Sequence, residues 1–331
     1  MCQYSANDGV ASAWHDVHIG SFATGGAGLI VMEASGVTPE GRISTKCLGI
    51  WNNEQSARLK PIVDFAHSQG AKIGIQLAHA GRKGSCLPPG SDHPMASLDE
   101  GGWENVAPSA ISFGGKYPVP RSLSVKEISE LVQSFADAAS RMVKVGFDLV
   151  EIHAAHGYLI HQFLSPISNQ RTDEYGGSFD NRIRFMVEIA RAVRAAIPDS
   201  MPLFVRISAT DWLEGGWTID DSIELAKILK EIGVDLIDVS SGGTSSGAPV
   251  PVGPGYQVPL SESIKKEAAI ATSAVGLITD PHQAESIISE GKADAAMLGR
   301  EMLRNPRWAL HAAHELGVEG RWPLQLARGK N

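Results

Sequence analysis

Two histidines and a tyrosine lie close together in the stretch EIHAAHGYLIH, residues 151–161. His153 ends an apolar run, and His156 and Tyr158 follow it directly. Two neighbouring imidazoles can donate hydrogen bonds to one carbonyl oxygen and polarise it, and a nearby phenol can deliver a proton. This combination suits the addition of a hydride and a proton across a C=C bond that is conjugated to a carbonyl group.

Two other interpretations of the same stretch stay open at this point. Glu151 stands two residues before His153 and shares a strand face with it, so the three side chains of Glu151, His153 and His156 could ligate zinc or iron. Alternatively, the histidines are hydrogen-bonded loop residues without a catalytic role. Tyr158 favours the proton-transfer interpretation, because neither alternative requires a phenol.

Short apolar runs rich in β-branched residues alternate with helical patterns along the chain. This alternation predicts a parallel sheet that is buried on both faces. Ser124 and Glu127 form a capping-box pattern that predicts a helix start before the third of the central strands. The predicted strands are GLIVMEA (28–34), KIGIQLAHA (72–80), FDLVEIHAA (147–155), PLFVRISA (202–209), VDLIDVSS (234–241), ATSAVGLI (271–278) and ADAAMLGR (293–300).

Seven such units are one short of a (β/α)8 TIM barrel. A doubly wound open sheet is the competing α/β architecture, but the glycine-rich stretch TGGAGLI, residues 24–30, precedes a strand instead of opening a helix. We therefore predict one barrel domain over residues 1–331 whose first strand is missing at the N-terminus. Residues 84–121 are rich in Gly, Pro and Ser, follow the strand that ends near His79, and are predicted to form a lid.

The residues at the strand ends suit a phosphorylated flavin, because barrels collect their chemistry at the C-terminal ends of the strands. Gln76 can donate to and accept from a pyrimidine edge, and Arg206 supplies a cation where a reduced flavin gathers negative charge. Gly276 and the pair Gly299–Arg300 follow the last two strands, where barrels bind phosphate. Arg82 and Lys83 follow the second strand, either as site residues or as solvated loop charges.

Composition excludes several classes of protein. A net charge of −8 argues against a nucleic-acid or anionic-membrane surface. No apolar run approaches a membrane span, and the N-terminus lacks the pattern of a secretory signal. Cys2, Cys47 and Cys86 are too few and too widely spaced for a disulfide framework or for a CxxC zinc or iron–sulfur site, and no metal ligands are predicted. We expect a soluble, reduced, cytoplasmic protein with a small-molecule substrate and no nucleic-acid or membrane partner.

Several stretches together resemble the Old Yellow Enzyme family of FMN-dependent ene-reductases, in particular the bacterial branch of xenobiotic reductase A and the thermophilic-like NADPH dehydrogenases. The block that begins at Glu151 is the most specific of them, and the matches spread over essentially the whole chain. The matching stretches are MCQY (1–4), EASGVTPEGRIS (33–44), GIQLAHAGRK (74–83), EIHAAHGYLIHQFLSPISNQRTDEYGGSFDNR (151–182), FVRISA (204–209), AVGLIT (274–279), LGRE (298–301) and ARG (327–329).

The resemblance implies a tightly but non-covalently bound FMN, NADPH as reductant, and ping-pong reduction of activated C=C bonds of the enoate-reductase type. It implies that His153 and His156 bind the activating oxygen and that Tyr158 protonates the substrate. Cys2 resembles a flavin-modulating thiol and Tyr4 a substrate-binding phenol. Arg328 resembles an arginine that reaches a neighbouring subunit in a homodimer or homotetramer. The residues implied to contact FMN are Cys2, Ala34, Gln76, Arg206, Gly276, Gly299 and Arg300.

The resemblance also carries an expectation about the N-terminus. In this family the first barrel strand immediately precedes the stretch that matches MCQY, so we expect a start codon upstream of Met1 and roughly 20 further residues. A metal-dependent or Schiff-base-dependent barrel lyase and a phosphate-ligand-binding barrel are the alternative functions. The sequence does not identify the physiological substrate or the stereochemical outcome.

Overall fold

The computed structural model describes residues 1–330, which fold around one parallel sheet. All seven predicted apolar runs form strands of this sheet. The strands of the molecule are β1 (Leu29–Gly36), β2 (Lys72–Ala78), β3 (Val106–Ala107), β4 (Arg121–Ser122), β5 (Leu149–Ala154), β6 (Leu203–Ser208), β7 (Leu236–Ser240), β8 (Ala271–Ala274) and β9 (Ala295–Ala296). The sheet has the order β1-β2-β5-β6-β7-β8-β9, and the short strands β3 and β4 pair with each other in parallel.

Helices separate the sheet strands, as expected for βα units. The capping box predicted from Ser124 and Glu127 is present at the start of α3, and Gly146 ends that helix in the left-handed conformation, where a glycine has no Cβ to clash. The helices are α1 (Ala13–Thr24), α2 (Asn53–Ser68), α3 (Val125–Val145), α4 (Leu159–Leu164), α5 (Phe179–Ala196), α6 (Ile219–Ile232), α7 (Val258–Ala268), α8 (Pro281–Ser289), α9 (Arg300–Arg304) and α10 (Trp308–Glu315).

The sheet is buried on both faces, as the near-continuous apolar runs predicted. Every residue of β5 is buried, including Val150 and Ile152, which have no exposed surface. On the outer face, α3 and α5 cover the sheet with side chains such as Phe135 and Phe185, which are also fully buried. Burial of this apolar surface from water is the main source of stability of such a sheet.

The sheet curls into a barrel wall. Residues from β1 and from β9, its two ends, line the same central cavity. Within residues 1–330 these two end strands do not pair with each other. The α/β barrel architecture is confirmed, and the additional first strand stays a prediction. Among the helices of the described residues, none combines the length and the apolar character that crossing a bilayer requires.

The segment predicted as a lid, residues 84–121, is a largely irregular excursion. It contains one short 3-10 helix, Leu98–Glu100, and it is closed at its base by the pairing of β3 with β4. Arg82 binds this segment, because its guanidinium donates hydrogen bonds to the carbonyl oxygens of Ile111 and Ser112. The excursion is therefore attached to the loop after β2 through Arg82 and closed at its own base.

Candidate active site

A cavity of about 770 Å³ lies at the C-terminal ends of the sheet strands. Eleven of the twelve residues singled out from the sequence line it. Arg328 is the exception: it is exposed, on the 3-10 helix Leu324–Gly329, outside the cavity of its own chain. The eleven are Cys2, Tyr4, Ala34, Gln76, His153, His156, Tyr158, Arg206, Gly276, Gly299 and Arg300.

Three aromatic rings form a compact group on one side of the cavity. The ring centroid of His153, on β5, lies 5.1 Å from that of His156 and 5.2 Å from that of Tyr158. The rings meet edge to face, at 73° and 62°. The two imidazoles and the phenol can therefore reach neighbouring atoms of one small substrate.

Hydrogen bonds and a close backbone contact hold the turn that carries His156. His156 and Gly157 have φ of 59° and 69°. A Cβ on Gly157 would lie 2.1 Å from the carbonyl oxygen of Gly243, so only glycine fits this approach between two loops. The amide of His156 donates to Ser208 Oγ at 2.8 Å, and that of Gly157 donates to His161 Nδ1 at 2.8 Å.

His161 connects this turn to a buried carboxylate. Because its Nδ1 accepts from Gly157, its Nε2 carries the proton and points to Asp211 Oδ1 at 3.1 Å. Both side chains are fully buried, and Asp211 also accepts from the hydroxyls of Ser165 and Thr244 at 2.6 Å each. Although burial opposes ionisation, His161 and the hydroxyl donors leave the pKa of Asp211 below its usual range.

The protonation states match the chemistry predicted from the sequence. Burial lowers the pKa of His153 and of His156 well below the usual value, so both imidazoles are neutral near pH 7. Burial raises the pKa of Tyr158 well above its usual value, so the phenol keeps its proton. His156 Nε2 lies 2.7 Å from the hydroxyl of Ser240 at the end of β7.

Arg82 and Lys83 are not solvated loop charges, and that interpretation is wrong. Arg82 is 2% exposed, because the lid and the loop after β7 cover it. Lys83 is half-buried, and its Nζ donates to the carbonyl oxygen of His156 at 2.7 Å and lies 5.0 Å from the ring centroid of Tyr158. Burial lowers the pKa of Lys83 to about 8. In the sequence, only the position of Lys83 directly after a strand end indicated that it would lie near His156 and Tyr158.

The inner strand residues below the rings are paired with one another. Arg206 Nε lies 3.0 Å from Asp238 Oδ2, which is fully buried. Gln76 Nε2 donates to Glu151 Oε1 at 2.7 Å, and burial raises the pKa of Glu151 to about 8. Glu151 thus contacts Gln76 and, in the part of the chain that the structure describes, forms no three-residue donor group with the histidines. The interpretation of Glu151 as a third metal ligand gains no support.

The opposite side of the cavity fits a phosphate group. Gly276, after β8, lines the cavity and has φ of 131°, a conformation that favours glycine, and a Cβ there would lie 3.1 Å from the side chains of Tyr256 and Gln257. Gly299 immediately precedes α9. Arg300 is exposed, and the ion pairs among residues 1–330 do not include it, whereas Arg304 on the same helix pairs with Glu301. Glycine backbone and a free guanidinium are the donors that phosphate requires.

The N-terminal segment forms a third side. Tyr4 has φ of 52° and is partly exposed at the cavity. Cys2 also lines the cavity, and its sulfur lies against that of the fully buried Cys47. Hydrogen bonds from Cys2 and Ser44 lower the pKa of Cys47, while the bond to Cys47 and burial raise that of Cys2. Sequence reasoning missed Cys47, because it lies 45 positions away in an irregular loop.

Comparison with known proteins identifies sequence relatives over nearly the whole chain. Residues 1–319 match the model of the NADH:flavin oxidoreductase / NADH oxidase family. The chain is 50% identical to an NADPH dehydrogenase of Geobacillus thermodenitrificans, over 99% of this chain and 92% of that protein. It is 47% identical to an NADH:flavin oxidoreductase of Gibberella zeae, over 100% of this chain and 86% of that one.

Comparison with solved structures identifies reductases with a similar fold. Morphinone reductase in complex with tetrahydroNAD superimposes with a TM-score of 0.78 at 28% identity, over 97% of this chain and 86% of that one. A 2-naphthoyl-CoA reductase superimposes with a TM-score of 0.85 at 28% identity, over 96% of this chain. This chain spans about half, 49%, of the length of that larger reductase.

Proposed function

Because the chain belongs to the Old Yellow Enzyme family of FMN-dependent oxidoreductases, we propose that it is an ene-reductase that reduces C=C bonds activated by a carbonyl or nitro group. NADPH or NADH is the reductant in this family, and we propose a preference for NADPH because close relatives are NADPH dehydrogenases. The observation that carries the proposal is the group of His153, His156 and Tyr158 in the cavity that also holds the residues suited to FMN.

The neutral imidazoles bind the activating oxygen of the substrate. Ser240 Oγ lies 2.7 Å from Nε2 of His156 and 3.3 Å from Oε1 of Gln257. We assign its proton to the shorter contact, which leaves the proton of His156 on Nδ1. His153 Nδ1 is buried and has no hydrogen-bond partner within residues 1–330, so we assign Nε2 of His153 as the nitrogen that donates to the ligand. Two neutral donors of this kind polarise a carbonyl without protonating it, which makes the β-carbon electron-poor.

Tyr158 delivers the proton to the α-carbon. Its phenol stays protonated because burial disfavours the phenolate. The ammonium group of Lys83, 5.0 Å from the ring centroid, favours the negative charge that develops on the phenol oxygen as the proton leaves. FMN, when bound, supplies the hydride that the β-carbon accepts.

The residues that would hold FMN come from five strands and from the N-terminal segment. Gln76 and Arg206 would bind the flavin ring system, and Gly276, Gly299 and Arg300 would bind the phosphate group. Ala34 and Cys2 would border the ring. The nicotinamide and the unsaturated substrate would use the same cavity in turn, which is the basis for proposing a ping-pong scheme.

Arg328 would act in a neighbouring subunit. It lies outside the cavity of its own chain and is exposed, and we propose that it enters the cavity of a second copy in a homodimer or homotetramer. Arg328→Ala should weaken substrate binding with little change in FMN content. Mixing Arg328→Ala chains with Tyr158→Phe chains would test the assignment, because mixed dimers regain one complete site only if Arg328 acts between subunits.

The experiment that tests the function follows the two half-reactions separately. The holoenzyme is reduced with NADPH without oxygen and then mixed with cyclohexenone in D₂O. We expect flavin absorbance to return as saturated ketone forms, with deuterium at the α-carbon. As a second measurement, His153→Ala with His156→Ala should abolish the long-wavelength band that a bound phenolate gives with oxidised flavin, yet retain FMN. No ketone from the wild-type protein, or loss of FMN from the double variant, would refute the proposal.

A further inference from the structure

A second group of reactive side chains lies in the cavity wall, away from the rings of His153, His156 and Tyr158. Cys2, Glu33 and Cys47 place two sulfur atoms and one carboxylate oxygen within 4.8 Å of one another. We call these three residues the dithiol–carboxylate cluster. Cys2 and Glu33 line the cavity, whereas Cys47 lies behind them with no exposed surface. The cluster is therefore reached from the cavity.

The three residues come from three segments that the fold brings together. Cys2 belongs to the irregular N-terminal segment before α1, and Cys47 to the loop between β1 and α2. Glu33 lies in β1, at the point where the register with β2 shifts between Met32 and Ala34. A bulge of this kind re-aims a side chain relative to a regular strand, and here the irregularity coincides with the carboxylate of the cluster.

The carboxylate of Glu33 is buried without a permanent cation. Its side chain is 3% exposed, and its Oε1 accepts no hydrogen bond within residues 1–330. Oε2 accepts only from the amide of Gln3, at 3.1 Å. The Nε2 of His15 approaches Oε1 to 3.3 Å, outside hydrogen-bond geometry. A buried carboxylate with an open lone pair is costly unless a cation or a donor compensates it.

We propose that Cys2, Glu33 and Cys47 form a binding site for one soft or borderline divalent cation of the zinc and cadmium class. Two thiolates and one carboxylate are ligands that such cations accept, and three protein ligands leave the fourth position open to the cavity. In a tetrahedral site with bonds of ~2.1–2.3 Å the ligand atoms stand ~3.5–3.8 Å apart. The ligand atoms of the cluster lie within 4.8 Å of one another, so metal binding requires Cys2 to approach Glu33 and Cys47 more closely.

The surroundings of the cluster fit this role. Ser44 Oγ lies 3.2 Å from the sulfur of Cys47, and Ser12 donates its amide to His15 Nδ1 at 3.1 Å, which keeps the Nε2 proton facing Glu33. Such neighbours orient metal ligands and tune their basicity. On binding, the two S–H protons pass to solvent, and two metal–sulfur bonds and one metal–oxygen bond form. No electrons are transferred.

A disulfide between Cys2 and Cys47 is the rival product of the same pair of thiols. It would require an oxidant such as hydrogen peroxide, and it would leave Oε1 of Glu33 without a partner. A divalent cation that replaces the two S–H protons leaves the net charge of the cluster unchanged, needs no oxidant, and forms a bond to Oε1. For this reason the open carboxylate oxygen favours the metal over the disulfide. The inference does not depend on the proposed ene-reductase activity, because metal binding is measured directly.

The test uses the FMN-loaded protein with fully reduced thiols. It is incubated with Co²⁺ or Cd²⁺, dialysed, and assayed for metal content and for cobalt–thiolate absorption at wavelengths beyond the flavin bands. We expect one cation per chain, release of protons to a pH indicator, and slower reaction of Cys2 with maleimide when the metal is bound, since Cys47 has no exposed surface in either state. Cys47→Ser should weaken binding at least ~100-fold, because loss of a supporting residue alone costs ~10–100-fold.

Cys86→Ser is the matched control, since Cys86 lies apart from the cluster, where its sulfur contacts Tyr117 of the lid. It should bind the metal as the wild-type protein does. If Cys47→Ser fails to retain FMN, Cys2→Ser in the irregular N-terminal segment provides the same test, and Glu33→Gln provides a third. Equal metal binding by wild type and by cluster variants would overturn the proposal. So would wild-type protein with three free thiols that binds no metal, or thiols lost only to a reducible disulfide.

Discussion

The two sides of the cavity are built in different ways. On the side that follows β5, hydrogen bonds hold the turn of His156 and the Ser240 hydroxyl before any ligand arrives. On the side that follows β8 and β9, Gly276 and Gly299 offer backbone, and Arg300 has no ion pair within residues 1–330. Under the proposed function, carbonyl activation and protonation would be preorganised in the fold, whereas the phosphate side would be completed by the anion that it binds.

Tyr158→Phe should give the largest effect, because it removes the proposed proton donor from the side that follows β5. Reoxidation of the reduced flavin by an enone should slow by ~10²–10⁴-fold, the usual contribution of a general acid. Reduction by NADPH should be nearly unchanged. Stopped-flow absorbance of the two half-reactions makes the comparison, with Tyr175→Phe as a control because its phenol contacts Glu188 instead. Equal slowing of both half-reactions would show that Tyr158 has a structural role only.

Arg300→Ala tests the other side of the cavity. A charge-assisted hydrogen bond contributes ~1.5–3 kcal/mol, so FMN should bind about tenfold to a hundredfold more weakly. Riboflavin, which lacks the phosphate, should bind wild type and variant equally. Fluorescence titration of the apoprotein measures both constants, and Arg307→Ala is the control, since Arg307 is exposed and does not line the cavity. A similar loss for riboflavin would mean that Arg300 does not bind phosphate.

Lys83 predicts a pH dependence of the protonation step. Its pKa is lowered to about 8, so its positive charge is present below that pH and is lost above it. The charge favours departure of the Tyr158 proton by ~1 kcal/mol at this distance, and flavin reoxidation should therefore slow about fivefold as the pH rises through 8. Lys83→Met should be slow on both sides of this pH, and Lys116→Met, in the exposed part of the lid, should keep the wild-type profile. An unchanged profile for Lys83→Met would contradict the assignment.

Ser240→Ala should give the smallest effect. The variant removes the hydroxyl that fixes His156, and one hydrogen bond is worth ~1 kcal/mol. Phenol binding should weaken about fivefold while FMN content stays constant. Ser241→Ala is the adjacent control, because the hydroxyl of Ser241 donates to Gln257 and not to the histidine. Stronger phenol binding in Ser240→Ala would show that the hydroxyl competes with the ligand for His156.

The sheet and most of the cavity could be predicted from the sequence because both follow from local patterns. Apolar runs such as FDLVEIHAA mark buried strands, and the C-terminal ends of parallel strands meet at one place, so Gln76 and Arg206 share a cavity with His153. Helix α1 was not predicted. Its sequence AWHDVHIGSFAT has no continuous apolar stripe, and its buried face includes His15 beside Glu33. The predicted last strand, 293–300, is shortened to Ala295–Ala296.

The contacts that could not be predicted from the sequence join residues that lie far apart along the chain. Lys83 is covered by residues of the lid and of the loop after β7, and nothing in the stretch HAGRK indicates which of its charges is enclosed. The Ser240 hydroxyl meets His156 across 84 positions of the chain. Cys47 meets Cys2 only once the N-terminal segment lies along the loop after β1. Such partners have no common period or spacing from which they could be found.

The close approach of Gly157 and Gly243 bears on how new substrate preferences can arise. A Cβ on Gly157 would lie 2.1 Å from the backbone of residue 243, and a Cβ on Gly243 would lie 2.5 Å from the backbone of residue 156. Neither position can therefore acquire a side chain without displacing the backbone beside His156. A directed-evolution library for new substrates should keep both glycines and place diversity in the excursion over residues 84–121, where the ring centroid of Phe113 lies 4.5 Å from Lys83 Nζ beside Tyr158.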